Sequence, residues 1–342
     1  MAIVNYALEG IHREIRCPVS DLSSFVTPED QLFILAHLGI PIVDRDAWRL
    51  AIGGLSARSI ELSFDDISSM PGTELTAFHK CAGNPLEPRI PTPDRVGNVV
   101  WRGVRLRDLL ELVQPAAASR FVWASGVDGG EFDGVAVTAY CKDLPWEKAN
   151  SPEVLVAYAM NGEPLTPERG GPVRLIVPGW YGTNSVKWLT ELKITDRRSP
   201  GLFTVKYYND PALRSDERLS GTIPVWGVQP DSVIISPRVG EPIASGPLTR
   251  IRGWAWGEHE IIEVVVSLDN GTTWHPTKLA SRVGFSWQAF EAEMPRLEPG
   301  SHSVLSRATD AKGQVQPVSA GFRNAAVPIH FSVVAPNQAA PY

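Results

Sequence analysis

The sequence predicts two domains, a mixed α+β domain over residues 1–222 and an all-β, immunoglobulin-like sandwich over residues 223–342. Three observations lead there. The length, 342 residues, suits two domains of ordinary size. Up to about residue 195 the chain alternates strand-like runs with short helical stretches. From about 225 to 335 it shows only short strand-like runs punctuated by turns.

The elements follow in order. Residues 1–45 form a lead-in with one short helix, because Thr27-Pro28-Glu29-Asp30 carries a cap, a first-turn proline and nearby acids. Trp48 to Ile52 reads as a strand closed by Gly53 and Gly54. Leu106, Leu109, Leu110 and Val113 have helical spacing. Val154–Ala159 and Val173–Val177 read as strands flanking the turn Met160-Asn161-Gly162-Glu163, where Asn-Gly is a strong hairpin signal. Between 196 and 224 the periodicity fades, and that stretch reads as an inter-domain connection. Beyond it, Ile262–Leu268 is a strand with Val264, Val266 and Leu268 on one face, and Asp269-Asn270-Gly271 is a turn. Trp254, Trp256, Trp274 and Trp287 are candidates for the sandwich core.

Composition narrows the function. The net charge of -6 disfavours a polyanionic partner, so nucleic acid is not expected. Cys17, Cys81 and Cys141 are too few for a disulfide framework, and no C-x-x-C or H-E-x-x-H pattern suggests zinc. The longest apolar run, Leu32–Val43, is broken by His37, Gly39 and Pro41, so no membrane span is expected. The N-terminal residues show no targeting pattern, which makes the cytoplasm the expected location. No C-x-x-C-H or dinucleotide fingerprint is present, so haem, nicotinamide and flavin are not expected.

Cys81 is the residue with the most chemistry around it. A cysteine between a strand and a Gly-Asn turn is commonly a small buried hydrophobe. Here His79 and Lys80 are potential cations that lower a thiol pKa, and Ala82-Gly83 leaves room for a large group to approach. A thiolate also suits a soft or high-valent metal.

Phe78–Asn84, ending in Cys-Ala-Gly-Asn, resembles the metal-ligand loop of the sulfite oxidase family. Further stretches match that family in order: Ser24–His37, Trp101–Leu110, Ala157–Leu165, Gly171–Gly179 and Ser185–Leu189, then Gly253–Trp256, Val264–Trp274 and Arg307–Pro317 in the last third. The resemblance covers nearly the whole chain. It implies a molybdopterin (molybdenum cofactor) oxidoreductase that carries out oxygen-atom transfer with two-electron chemistry at molybdenum, passes electrons to an external acceptor, and forms a homodimer. Cys81 is implied as the metal ligand. Phe33, His37, Asp128, Arg169, Arg174, Ser185, Val186 and Lys187 match cofactor-binding positions, Arg169 standing where the family usually has His. Trp101 matches a pocket wall. Tyr208 matches the tyrosine near the metal, with the adjacent Tyr207 leaving the register open.

The chain departs from the family where sulfite would bind. Two arginines expected around the dianion are Leu35 and Leu86, and a third, from the last third of the chain, aligns only loosely with Arg323. Two lost charge-assisted contacts at roughly 1.5–3 kcal/mol each weaken an anion site severely. Arg89, Arg102 or Arg105 are the available replacements. The small-molecule substrate is therefore sulfite or a larger, less anionic compound, and nitrate is disfavoured. Two alternatives stand beside this: an enzyme without molybdenum using Cys81 with His79 or His37 as a nucleophile pair, and a non-catalytic binding or assembly protein that kept the fold and lost the site, binding cofactor at most without sulfite activity.

Overall fold

The computed structural model describes residues 5–14, 17, 21–82, 95–213, 219–318 and 322–336. It is mostly strands, with short helices and 3-10 turns. No helix among the described residues is long and apolar enough to cross a membrane.

The chain forms two compact units. The first comprises the described residues within Met1–Glu14, Ile34–Leu75 and Val99–Trp226; the second those within Ile15–Phe33, Thr76–Asn98 and Gly227–Tyr342. The units are therefore not two consecutive segments. The last third has its own core, near the boundary expected at 222, but two earlier segments also belong with it.

The first unit has two main sheets. One is five-stranded, in the order Cys141–Pro145, Phe121–Gly126, Leu189–Thr195, Arg49–Gly54, Ile60–Ser63. Its pairings are antiparallel except for Leu189–Thr195 beside Arg49–Gly54. The other is built on Leu155–Met160, which pairs with Val96–Arg105 on one side and with both Glu163–Pro164 and Arg174–Ile176 elsewhere along its length. Asn161 and Gly162 both have positive φ, as the Asn-Gly signal requires. The turn leads to Glu163–Pro164, and the Val173–Val177 run pairs as Arg174–Ile176 further along. The helix Leu106–Glu111 buries Leu106, Leu109 and Leu110, the residues whose spacing predicts it. They join a core that includes Trp48, Leu50, Ile52, Val122 and Leu192.

Two local expectations differ from the structure. Thr27 does not cap a helix: the 3-10 turn Glu29–Gln31 has no side-chain cap, and the Thr27 hydroxyl accepts the backbone N–H of Asn98 at 3.0 Å instead. A long-range partner outcompetes the local one. The stretch from 196 to 224 is not a bare connection. It holds the short helix Leu202–Val205 and the hairpin Asn209–Leu213 with Leu219–Pro224, all in the first unit.

In the second unit a four-stranded sheet (Asp231–Ser236, Leu248–Trp256, Gln288–Pro295, Lys278–Leu279) and a five-stranded sheet (Pro242–Ala244, Ile329–Val334, Gly300–Asp310, Ile261–Ser267, His275–Pro276) contribute to one core. That core is aliphatic and phenylalanine-rich, with Ile251, Val264, Val266, Phe290, Val304 and Phe331. The tryptophans do not fill it. Trp254 and Trp287 stack at 4.6 Å, and their indole N–H groups donate to the carbonyls of Leu22 and Phe25. These two indoles find acceptors that an apolar core would not offer, whereas Trp256 is fully buried with its N–H lacking a hydrogen-bond partner among the described residues. Trp274 is half-buried under the guanidinium of Arg307.

Candidate active site

In the first unit two segments zip together to form a basic cluster. The 3-10 turn Pro167–Arg169 ends at Gly170, whose φ is +91°. A Cβ there would lie 2.7 Å from the Lys187 Cβ, so only glycine lets the two segments approach so closely. Trp188 N–H donates to Gly170 O, Leu175 N–H to Val186 O and Leu189 N–H to Val173 O. The Ser185 hydroxyl accepts the Val177 N–H at 3.1 Å. Val186 is buried in the core and sets this register through its carbonyl.

This pairing holds Arg169, Arg174 and Lys187 in one neighbourhood. Arg169 and Arg174 are 4% and 5% exposed. The Arg174 guanidinium donates to the carbonyls of Arg169 at 2.8 Å and Ser185 at 3.3 Å, and lies 5.1 Å from the ring of the fully buried Trp101. Its Nε is buried with no hydrogen-bond partner among the described residues. Lys187 lies over the Trp188 ring and donates to Glu168 O at 3.3 Å. Burial, with Arg169 close by, pulls Arg174 down to about 9. It stays charged at neutral pH. Burial and the charge of Arg174 pull Lys187 down as well. Two acids act on Lys187: Glu168, and Asp128, which burial pushes up while Lys187 opposes the rise. Its Oδ1 is also buried and without a hydrogen-bond partner among the described residues. Two buried arginines and a half-buried lysine that repel one another form a site suited to an anion.

A second cluster of the same unit surrounds His37. Its Nε2 lies 2.6 Å from the Tyr208 hydroxyl. The rings of Tyr140, Phe203 and Phe132 pack on it at 5.6, 5.0 and 5.6 Å. Burial, reinforced by Lys187, Arg13 and Lys142, lowers its pKa to about 3, so the imidazole is neutral. Tyr208 has a φ of +58°. Above its ring, at 5.5 Å, sits the ammonium of Lys142, which donates to Phe203 O at 2.7 Å and is pulled down to about 8 by burial. Tyr207 turns to the surface instead, donating to the Asp133 carboxylate that also pairs with Lys206.

In the second unit, Cys81 follows the strand Thr73–Lys80, is 5% exposed and is not in a disulfide. Its N–H donates to Arg95 O at 2.9 Å. Arg323 donates to the carbonyl of the next residue, Ala82, at 2.5 Å. The expectation that Lys80 activates the thiol changes here. The Lys80 ammonium is buried in an ion pair with Asp231, whose Oδ1 in turn accepts from Gln316 and from the Ser232 N–H. Its charge is neutralised by that carboxylate. His79 stacks on Phe33 with centroids 5.8 Å apart.

Comparison with known proteins gives the family. Residues 37–203 match the oxidoreductase molybdopterin binding domain, and residues 223–327 match the Mo-co oxidoreductase dimerisation domain. The chain is 31% identical to the sulfite oxidase of Arabidopsis thaliana, over 86% of this chain and 83% of that protein. The chain belongs to the sulfite oxidase family. It is also 32% identical to the mitochondrial sulfite oxidase of Homo sapiens over 86% of its own length, but spans only 58% of that longer protein. In structure this family member is similar to the sulfane dehydrogenase SoxCD from Paracoccus pantotrophus, with a TM-score of 0.80 and 27% identity over 95% of this chain and 85% of that one.

The residues that the family resemblance singles out fall in named places. Arg169, Arg174, Ser185, Val186, Lys187 and Trp101 come together in the first unit, with Asp128 acting electrostatically on Lys187. His37 and Tyr208 form the second cluster, and Phe33 and Cys81 lie in the second unit. Leu35 is half-buried on Ile34–Ala36. Leu86 and Arg89 lie outside the described residues. Arg102 is exposed and Arg105 half-buried. Sequence reasoning missed Lys142 and the aromatic box around His37. A single lysine between Cys141 and Asp143 carries no motif, and only folding shows that it is buried.

The molybdopterin of this family can be tested against the first basic cluster. It bears a phosphate, and charged donors with a buried unpartnered Nε are what a phosphate takes. The residues present fit the group.

Proposed function

We propose that this protein is a molybdenum-dependent oxidoreductase of the sulfite oxidase type. The observation that carries the reading is the cluster of the buried Arg169 and Arg174 with the half-buried Lys187, cations that repel one another. Bound molybdopterin would supply oxygen-atom transfer and two-electron chemistry at molybdenum. Arg169, Arg174 and Lys187 would hold its phosphate-bearing end, with Asp128, Ser185 and Val186 shaping the surrounding backbone. His37 and Phe33 belong to the same binding role, Trp101 to the wall behind Arg174. Cys81 is the metal ligand. Tyr208 offers a hydroxyl whose proton is shared with a neutral His37, so it can hydrogen-bond to substrate without carrying charge.

The domain assignment forms part of the proposal. Residues 1–222 carry most of the cofactor grip, and residues 223–342 form an immunoglobulin-like sandwich through which two copies associate. Electrons leave to an external acceptor.

Two substrates compete. Sulfite is the substrate named for the sulfite oxidase relatives, and Arg323, donating to the Ala82 carbonyl, places a positive charge beside Cys81. A less anionic sulfur compound is favoured by Leu35 standing where an arginine is expected, and by the likeness to a sulfane dehydrogenase. The test measures molybdenum and pterin in the purified protein, then turnover of sulfite and of a persulfide with ferricyanide as acceptor. About one molybdenum per chain is expected, with Cys81→Ser losing turnover by a thousandfold or more. Full molybdenum-dependent turnover in Cys81→Ser would overturn the ligand assignment, and absence of molybdenum would overturn the proposal.

A further inference from the structure

The first unit contains a groove of about 500 Å³ that the cofactor reading does not use. Its walls come from Val96–Arg105, Leu155–Met160, the helix Phe64–Ser69 and the proline-rich segment 164–172. Successive residues of a strand face opposite sides. Trp101 is fully buried against Arg174, while its neighbour Arg102 is exposed and lines the groove. The groove therefore lies across the strand from the basic cluster.

Its chemistry is specific. Phe64 and Tyr158 meet edge to face, centroids 6.4 Å apart, and supply flat apolar walls. Two cations line it, Arg45 and Arg102, and no Asp or Glu is among its described lining residues. Arg45 lies 5.1 Å from the Phe64 ring and has an exposed partner in Asp46 at 3.6 Å. Arg102 has no ion-pair or hydrogen-bond partner among the described residues, and neither has the Tyr158 hydroxyl. Gly72 makes room for both: a Cβ there would come 2.8 Å from the Tyr158 oxygen and 3.5 Å from the Arg102 Nε. The rims are stiff, with Pro164, Pro167 and Pro172 fixing the backbone. A preformed cleft of this size, largely apolar with a few convergent polar groups, has the form of a small-molecule site.

We propose that this groove binds a small planar anion, an aromatic ring bearing a sulfonate, carboxylate or phosphate. The ring lies against Phe64 and Tyr158, and the Arg102 fork takes the anionic group in two parallel hydrogen bonds, with the Tyr158 hydroxyl as a third donor. Arg45 adds a longer-range attraction. The inference does not depend on the redox function, because none of these residues is part of the cofactor grip.

The test is calorimetric titration of the cofactor-loaded protein with 2-naphthalenesulfonate, and with the uncharged 2-naphthalenesulfonamide as its isostere. Saturable one-to-one binding of the sulfonate is expected, at least tenfold tighter than the sulfonamide. Arg102→Gln should weaken the sulfonate at least tenfold and leave the sulfonamide within twofold. Tyr158→Ala should weaken both several-fold, since it removes the wall. Arg45→Gln, on an exposed loop, provides a second charge variant and should cost the sulfonate two- to fivefold. Failure of the sulfonate to saturate, equal affinity for the two probes, or an unchanged affinity in Arg102→Gln each overturns the proposal.

Discussion

The hydroxyl of Tyr208 lies 2.6 Å from Nε2 of His37, and His37 is held neutral by burial and by the cations around it. A neutral imidazole can accept the phenolic proton, which orients the hydroxyl, or donate its own, depending on tautomer. Removing the oxygen with Tyr208→Phe leaves the packing of Phe203 and Lys142 in place. Turnover should fall about a hundredfold, the scale of losing one positioned donor. Molybdenum content and melting temperature should stay at wild-type values. Unchanged kcat in this variant would remove Tyr208 from the mechanism.

The same histidine makes stability depend on pH. Its folded pKa is about 3 against an ordinary value of 6.5, so the unfolded chain binds the proton more tightly. Stability rises with pH wherever the unfolded state holds more protons. His37 therefore contributes no pH dependence above about pH 7, and costs stability progressively as pH falls from about 6.5 toward 3. Denaturant unfolding at pH 7.5 and 5.0 should show a larger loss for wild type than for His37→Gln. Equal losses would contradict it.

Arg174 should act in opposite directions with and without an anion. In cofactor-free protein, produced in a host that cannot make molybdopterin, Arg174→Met removes a buried repelling cation and should raise the melting temperature. In the loaded protein the same change deletes a charge-assisted contact of about 1.5–3 kcal/mol, so cofactor retention should fall roughly ten- to a hundredfold. Full molybdenum occupancy in Arg174→Met would show that the cluster does not grip the cofactor.

The buried Lys80–Asp231 pair anchors the end of the strand Thr73–Lys80, one residue before Cys81. Removing one partner strands a buried charge, and Lys80→Met should cost about 3–5 kcal/mol. The double change Lys80→Met with Asp231→Leu should recover much of it, because neither charge is then left unpaired. A double variant no more stable than the single one, measured by urea unfolding, would mean that the network acts through something other than this pair.

How far the sequence reads depends on whether a signal is local. Helix spacing at Leu106, Leu109 and Leu110 and the Asn161-Gly162 turn were legible because each depends on neighbours a few residues away. Thr27 misled for the same reason: its local pattern is a cap, but a partner 71 residues distant takes its hydroxyl. Lys80 and Lys142 look like solvated cations in the sequence, yet one is paired across 151 residues and the other donates across 61. The tyrosine register was ambiguous in the sequence and distinct in space, Tyr207 meeting Asp133 and Tyr208 meeting His37.

By itself the sequence determined the family and the residue types available along the chain, since these are matters of identity and order. The tertiary structure decided which cations are buried together, which histidine is neutral and which face of a strand each arginine occupies. Charge state and repulsion depend on desolvation and on distances of a few ångströms between residues remote in sequence, and only folding creates either.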